Sequence, residues 1–329
     1  MFFLVFSLPN WGVVVSTSKE NGSAAHLAAL NVDGEFVLIG GSKNSHLILS
    51  LEHGEEDLKL YPASPWSVAK VIMQSFFDLF KTMGKENTHK FLTILANWHM
   101  TAVFEMMDPE DQHVELLKNK KPTVCFITFT SGWQGEGQTE NKLCMYPLHS
   151  ERVASSFGVP TIQYEIVPMP PGEEERRIQF DDLQTRIRGG YGDEGRVLYY
   201  ATEANEVIGV LKKKTLWYIL LRALREKFKG YCAFLSRQRA GKPNKITTLE
   251  GQRDLLTKQI EKRLKEIQKW IGFTDACLNE WIAIGNAGNV WVYEKLVDKS
   301  LDPDHLGHLF PVVWNRFLTE TQRSDKIPM

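Results

Sequence analysis

The tetrapeptide Lys19-Glu20-Asn21-Gly22 directly follows an apolar run at residues 13–15. A lysine at the end of a strand can present a nucleophilic amine, and a glycine three residues on lets the backbone come close to a phosphate. Alone, such a tetrapeptide is equally a surface turn. Four further pieces follow in order: Ser42-Lys43 ends an apolar run, Phe104-Glu105 lies within one, Glu194-Gly195 opens another, and Lys212 and Lys214 stand two apart, on one side of a strand, just before Trp217-Tyr218. Taken singly, Lys212-Lys213-Lys214 reads as a solvated edge that protects a strand from mispairing, and Glu194-Gly195 as a turn. The lone H-x-T at His99-Met100-Thr101 reads as a helix-to-strand junction.

These pieces need strands to hold them. Residues 24–30 and 35–41 are apolar runs joined through Asn31, Val32, Asp33 and Gly34, and Asp-Gly is what a tight hairpin turn requires. Residues 101–107, 123–130, 162–167, 196–201 and 206–211 also read as strands by β-branched and aromatic content. Ser64-Pro65, followed by Trp66, Val68, Ala69, Ile72, Phe76, Leu79 and Phe80, predicts a helix capped at Ser64 that ends near Met83-Gly84. Residues 132–142 and 168–177 read as surface loops, the second because prolines and Glu173, Glu174 and Glu175 leave little to bury. Thr247 with Glu250 forms a capping-box signature ahead of Leu256, Ile260, Leu264, Ile267 and Ile271, a long amphipathic helix. The fold class is α+β, with residues 1–225 of mixed character and residues 226–329 all helical.

With 329 residues, 43% hydrophobic and 24% charged, the chain has the composition of a soluble globular protein of two domains and excludes disorder or collagen. Four cysteines without a C-x-x-C pair encode neither a disulfide framework nor a zinc ribbon, and point to a reducing compartment. The first fifteen residues are apolar, but Pro9, Asn10 and Trp11 and the lack of a basic flank argue against a signal peptide. No later run is long enough to span a membrane. A cytoplasmic or nuclear protein with no membrane partner is expected.

The order and identity of the five pieces resemble the covalent nucleotidyltransferases (RNA ligases, DNA ligases and mRNA capping enzymes), specifically the RNA ligases of phage type and the ligase domain of fungal tRNA ligase. The fungal enzyme also carries asparagine in its lysine motif, as Asn21 does here. The stretch from Phe104-Glu105 through Asp108 to His113-Val114 resembles its acidic motif. Leu211-Lys212-Lys213-Lys214, with Tyr218, Arg222 and Arg225-Glu226, resembles its paired-lysine strand leading into a helical domain. The similarity covers most of residues 13–270.

The resemblance implies a nucleotidyltransferase (adenylation) domain of antiparallel sheets with flanking helices over residues 1–225, then a helical RNA-binding domain over residues 226–329. It implies ATP and Mg2+. Lys19 would attack the α-phosphorus of ATP, AMP would pass to an RNA 5′-phosphate, and a 3′-hydroxyl would displace AMP to seal RNA such as tRNA halves. An ordinary lysine amine, with pKa about 10.4, is only about one part in 2,500 free base at pH 7, so cations are needed nearby. Lys212, Lys214 and magnesium would supply them. Glu105 would accept from the ribose hydroxyls, Glu194 would hold the metal or its water, Asn21 and Gly22 would line the nucleotide, and Ser42-Lys43 would contact the sugar and RNA.

Two departures from the family stand out. Residues 1–18 contain no Arg or Lys, where these ligases carry an upstream arginine for the γ-phosphate, so either a native N-terminal segment is missing or self-adenylylation is impaired. Arg196 follows Glu194-Gly195, where the family favours an aromatic or aliphatic residue. The chain also has no G-x-x-x-x-G-K-[ST] loop and no paired H-x-T motifs, so separate kinase and phosphodiesterase enzymes would heal the RNA ends. Two other readings remain open: an RNA-binding protein on the same scaffold that does not adenylylate, and a guanylyltransferase or DNA ligase.

The formal charge of −1 conceals a cancellation. Residues 212–269 hold seventeen Lys and Arg against five Asp and Glu, a local +12, which marks this segment as the RNA-facing side.

Overall fold

The computed structural model describes residues 11–131, 144–242 and 246–328. The elements run in the order β1 (Trp11–Ser18), β2 (Ser23–Val32), β3 (Glu35–Ser42), β4 (His46–Ser50), α1 (Gly54–Leu60), α2 (Ala63–Met83), α3 (Lys85–Trp98), β5 (Met100–Met107) and β6 (Thr123–Ser131). They continue with α4 (Pro147–Ser156), β7 (Tyr164–Pro168), α5 (Glu173–Arg188), β8 (Gly195–Thr202), β9 (Val207–Lys214), α6 (Leu216–Arg239), α7 (Leu249–Ile271), α8 (Asp275–Val297), α9 (His305–His308) and α10 (Phe310–Glu320). The expected loop at 132–142 lies outside the described residues, as does most of the apolar N-terminal stretch. No helix among the described residues is long and apolar enough to cross a membrane.

Contacts divide the chain into two units. The first holds the residues up to Asp108 together with Asn119–Asp182 and Arg196–Lys213; the second holds Pro109–Lys118, Leu183–Gly195 and everything from Lys214 on. The division expected at 225/226 falls inside the continuous helix α6.

The first unit is built on two antiparallel sheets, ordered β4-β3-β2-β5-β6 and β7-β1-β8-β9. The β2–β3 hairpin forms as its turn chemistry requires: Asp33 and Gly34 both take positive φ (53° and 92°), and Asn31 Oδ1 accepts the Gly34 N–H at 3.1 Å. Alternation sorts the hairpin's side chains. Ala25, Leu27, Ala29 and Leu38 are buried in a core with Phe76, Phe91, Phe104 and Phe129, while Ala24, His26 and Ala28 keep part of their surface on the opposite face. Helix α2 ends at Met83 with Gly84 at φ 80°, as expected, and its regular part starts after Ser64, which is extended (φ −99°, ψ 134°). His99 is the left-handed residue that closes α3 just before β5, which is the junction the sequence predicts. The other five expected strands are all present, with ends within two residues except that β9 runs three residues beyond the expected end at 211.

Residues 168–177 are not a loop throughout, because α5 begins at Glu173. Its three glutamates occupy the first turn, where the helix dipole favours negative charge, and Arg186 and Arg188 occupy the last. A triplet that looks solvated in the sequence is therefore a helix start.

The second unit packs α6, α7, α8 and α10 around Leu224, Phe228, Leu256, Ile260, Leu264, Trp281, Trp314 and Phe317. Helix α7 presents the expected apolar stripe, but its N-cap is Thr248 in place of Thr247; the Thr248 hydroxyl accepts the Gly251 N–H at 3.0 Å. The fully buried Asn289 joins three helices: its Nδ2 donates to Arg253 O and Thr257 Oγ1, both at 2.9 Å, and its Oδ1 accepts from Tyr231 at 2.8 Å. A buried amide satisfied on both ends fixes the helix register at little cost.

Candidate active site

Each of the five sequence pieces lies on a strand or at its edge. Lys19 follows β1, Ser42 closes β3, Glu105 is in β5, Glu194 immediately precedes β8, and Lys212 and Lys214 are in β9. They fall into two groups. Lys19, Asn21, Gly22, Ser42, Lys43, Glu105 and Lys212 belong to the first unit, and Glu194 and Lys214 to the second.

In the first unit the chain leaves β1 at Ser18 and turns through Lys19-Glu20-Asn21-Gly22 into β2. The turn is pinned from several sides. Ser18 donates its N–H to Gln163 O at 2.8 Å and its hydroxyl to Glu20 Oε1 at 2.7 Å, and Asn21 is 3% exposed. Gly22 donates its N–H to Glu105 Oε1 at 2.9 Å, which joins the lysine turn to a strand 83 positions away. The β2–β5 register explains the contact, since Ala24 lies opposite Glu105 and Ser23 opposite Met106.

Gly22 is required by space. A Cβ there would stand 2.2 Å from Met106 O and 2.9 Å from its carbonyl carbon, both backbone atoms that cannot move without shifting β5. Gly22→Ala is therefore expected to destabilise the first unit by about 1–3 kcal/mol, as overpacking does, and to separate the turn from Glu105. Thermal and urea melts read this; a variant that melts with the parent protein refutes the close approach.

The field around the turn is acidic on one side. Cys125 sits opposite Glu105 in the β5–β6 register, and burial, together with the Glu20 and Glu105 charges, pushes its thiol up to about 12. It is thus a neutral filler, unsuited to nucleophilic chemistry. Glu20 belongs to this site although its place in the motif does not single it out; only the Ser18 contact and its effect on Cys125 reveal it.

Ser42 and Lys43 differ in state. The Ser42 hydroxyl is bound within the β3–β4 turn, accepting N–H groups of Asn44 and Ser45 at 3.3 Å each, whereas Lys43 is exposed. Lys212 is exposed as well, and Arg196 lies opposite Ser18 in the β1–β8 register. The stacked imidazoles of His26 and His46, 5.6 Å apart and 17° from parallel, have no counterpart in the sequence reading. They flank Gly41 in the β2-β3-β4 register.

Burial, then the neighbouring His46, lowers the His26 pKa, partly offset by a backbone hydrogen bond at Ser42. A depressed histidine stabilises the fold fully above its unfolded value of about 6.5, and that contribution is lost as pH falls through the lower folded value. Melting temperature is accordingly expected to drop on acidification from pH 7.5 to 5, and less so in His26→Gln. Equal pH dependence in the two proteins would remove His26 as the cause.

In the second unit Glu194 and Lys214 form an ion pair, Nζ to Oε1 at 2.8 Å, with side chains only 4% and 28% exposed. Thr215 knits the same corner: its hydroxyl donates to Asp193 O at 2.8 Å and accepts the Tyr218 N–H at 3.1 Å to cap α6, and Lys214 Nζ lies 4.6 Å from the Tyr218 ring centre. His113 is held below its ordinary pKa by burial and by Arg225, against the opposing charges of Asp111 and Glu194. The second unit thus supplies a carboxylate already matched to an ammonium.

Residues 6–225, which carry every one of these motifs, match a family described as a domain of unknown function, DUF7920. The chain belongs to the DUF7920 family. No curated protein matches this DUF7920 member. Among solved structures, it is similar to an archaeal ATP-dependent RNA ligase in two forms. At 12% identity, form 2 has a TM-score of 0.46 over 97% of this chain and 70% of that one, and form 1 a TM-score of 0.44 over 96% and 70%. A variant of the Naegleria gruberi RNA ligase with ATP and Mn matches at 10% identity and a TM-score of 0.39, over 65% of this chain and 52% of that one. Likeness at this level assigns no residue a role.

Proposed function

We propose that this DUF7920 chain is an ATP-dependent RNA ligase of the tRNA-ligase type, acting in the cytoplasm or nucleus on RNA ends prepared by separate kinase and phosphodiesterase enzymes. One observation carries the reading: the Gly22 N–H on Glu105 Oε1, which brings a strand-end lysine motif and an acidic strand motif together in the order nucleotidyl transfer needs. Lys19 Nζ would form a bond to the α-phosphorus of ATP as the bond to the β-phosphate oxygen breaks, the amine losing a proton and pyrophosphate leaving. An oxygen of an RNA 5′-phosphate would next take AMP from Lys19. A 3′-hydroxyl would finally displace AMP and close the phosphodiester.

Glu105, fixed by Gly22, is suited to orient the ribose. Lys212 and Lys43, both exposed, are suited to phosphate oxygens and the RNA strand. Among the described residues no group of three carboxylate, histidine or cysteine side chains forms a metal cage. A magnesium ion that arrives on nucleotide phosphates takes only one or two protein oxygens, and Glu194 would supply one. When bound, the ion would neutralise charge on the phosphate oxygens. The basic segment at 212–269 keeps Arg222, Arg237, Arg239, Lys258, Lys262 and Lys269 exposed, a surface suited to RNA phosphates.

The experiment is incubation with α-labelled ATP and magnesium. Label that survives denaturation, resists alkali and is released by acid supports a lysyl-adenylate. The ion pair between Glu194 and Lys214 favours a second reading, an RNA-binding protein that does not adenylylate, because each group already has a partner. Salt-sensitive RNA binding without any covalent label would select it.

A further inference from the structure

Away from the lysine turn, the second unit contains a cavity of about 320 Å³ lined by Arg188, Tyr191, Trp217, Trp281 and Lys326, with Gly189 and Gly190 along one wall. We propose that this cavity binds a phosphorylated nucleoside, with the base against Trp217 and Tyr191 and the phosphate on Arg188 and Lys326. The volume lies within the range of small-ligand pockets.

The cation side of the argument rests on Arg188. Its Nη1 donates to Lys214 O at 2.9 Å, and burial lowers its pKa, a shift to which no carboxylate contributes. No carboxylate pairs with this guanidinium among the described residues. A half-buried cation without an anion is costly, and a bound phosphate would relieve it through charge-assisted hydrogen bonds. Lys326 adds a second, exposed cation 5.9 Å from the Tyr191 ring centre.

The aromatic side rests on Asp325, which is 2% exposed. Its Oδ1 accepts from the Tyr191 hydroxyl at 2.7 Å and its Oδ2 from the Trp217 and Trp314 indole N–H groups at 2.9 Å each. The Tyr191 and Trp217 rings are thereby locked edge to face, 5.4 Å apart at 65°. Rings held in place before a ligand arrives lose little freedom when a base stacks on them, and such stacking tolerates any base. Fixed aromatic surface beside an unmatched guanidinium selects a ligand that is flat at one end and anionic at the other. A phosphorylated nucleoside has both, whether free or as the 5′-terminal residue of an RNA.

The test uses the full chain carrying Lys19→Ala, so that its outcome does not depend on adenylylation. Calorimetry with UMP, with 5′-phosphorylated oligouridylate and with the 5′-hydroxyl oligomer reads affinity. Photocrosslinking of a 5′-terminal 4-thiouridine reads position, expected at Trp217 or Tyr191. Arg188→Gln is expected to weaken both phosphorylated probes about ten- to hundredfold, and Lys326→Ala, on an exposed side chain, about threefold to tenfold, with Arg188→Lys retaining part of the binding. Equal affinity for UMP and the phosphorylated oligomer assigns the cavity to free nucleotide, and tighter oligomer binding assigns it to an RNA end. Either supports the proposal. A 5′-hydroxyl oligomer that binds as well as the phosphorylated one, or crosslinks that map elsewhere, would overturn it.

Discussion

Lys19→Ala is expected to reduce covalent labelling by α-labelled ATP to background, and Lys19→Arg to do the same. On the proposed mechanism, alanine would remove the nucleophile. Arginine keeps the charge and reach but cannot give up a proton at any working pH, so it has no lone pair to offer phosphorus. The two variants together separate nucleophilic from electrostatic roles, because a lysine that served only as a cation would be partly replaced by arginine. Lys212→Ala is expected to slow labelling without abolishing it. Lys214→Ala is a poorer probe, since it would leave the Glu194 carboxylate, 4% exposed, without its ammonium, a stability cost of about 3–5 kcal/mol. The measurement is phosphorimaging of denatured protein; undiminished label on Lys19→Ala would place the nucleophile elsewhere.

Asp325→Ala is expected to destabilise the second unit by about 3–5 kcal/mol, because it strands one hydroxyl and two indole N–H groups around a buried site. That corresponds to a fall in melting temperature of roughly 10–17 °C for a unit of this size. Asp325→Asn should cost less than half as much, since one amide oxygen still accepts both indoles and the Tyr191 hydroxyl can turn its proton away. High pH gives an independent reading. Burial and the Asp325 carboxylate push Tyr191 up to about 12, so its contribution is complete below the ordinary value of about 10 and is lost as pH rises through 12. Identical melting of Asp325→Ala and the parent protein would show that the three donors find water instead.

Much of the architecture is legible in local sequence because local physics decides it. Asp33-Gly34 makes a hairpin since few other pairs accept two positive φ values in a row, and the α7 stripe closes on the core because its spacing matches the helical period. Local rules fail where two of them compete. Glu173, Glu174 and Glu175 look solvated, and are, yet their charge stabilises a helix start; Thr247 and Thr248 are equivalent caps until backbone geometry selects the second.

The site divides in the same way. The lysine motif and its ordered companions can be picked out by residue type, because a nucleophile, a carboxylate and paired cations of the proposed kind would have to be those residues whatever fold carries them. Their partners are not readable. Nothing in the chain order announces that Gly22 must sit against Met106, that Ser42 spends its hydroxyl on a turn, that Lys214 holds Glu194, or that Asp325 holds two tryptophans and a tyrosine. Apart from the Ser42 turn, these contacts join groups far apart in the chain, and hydrogen-bond energy falls off within an ångström. Residue chemistry is carried along the sequence, whereas which group neutralises which is settled only when the chain folds.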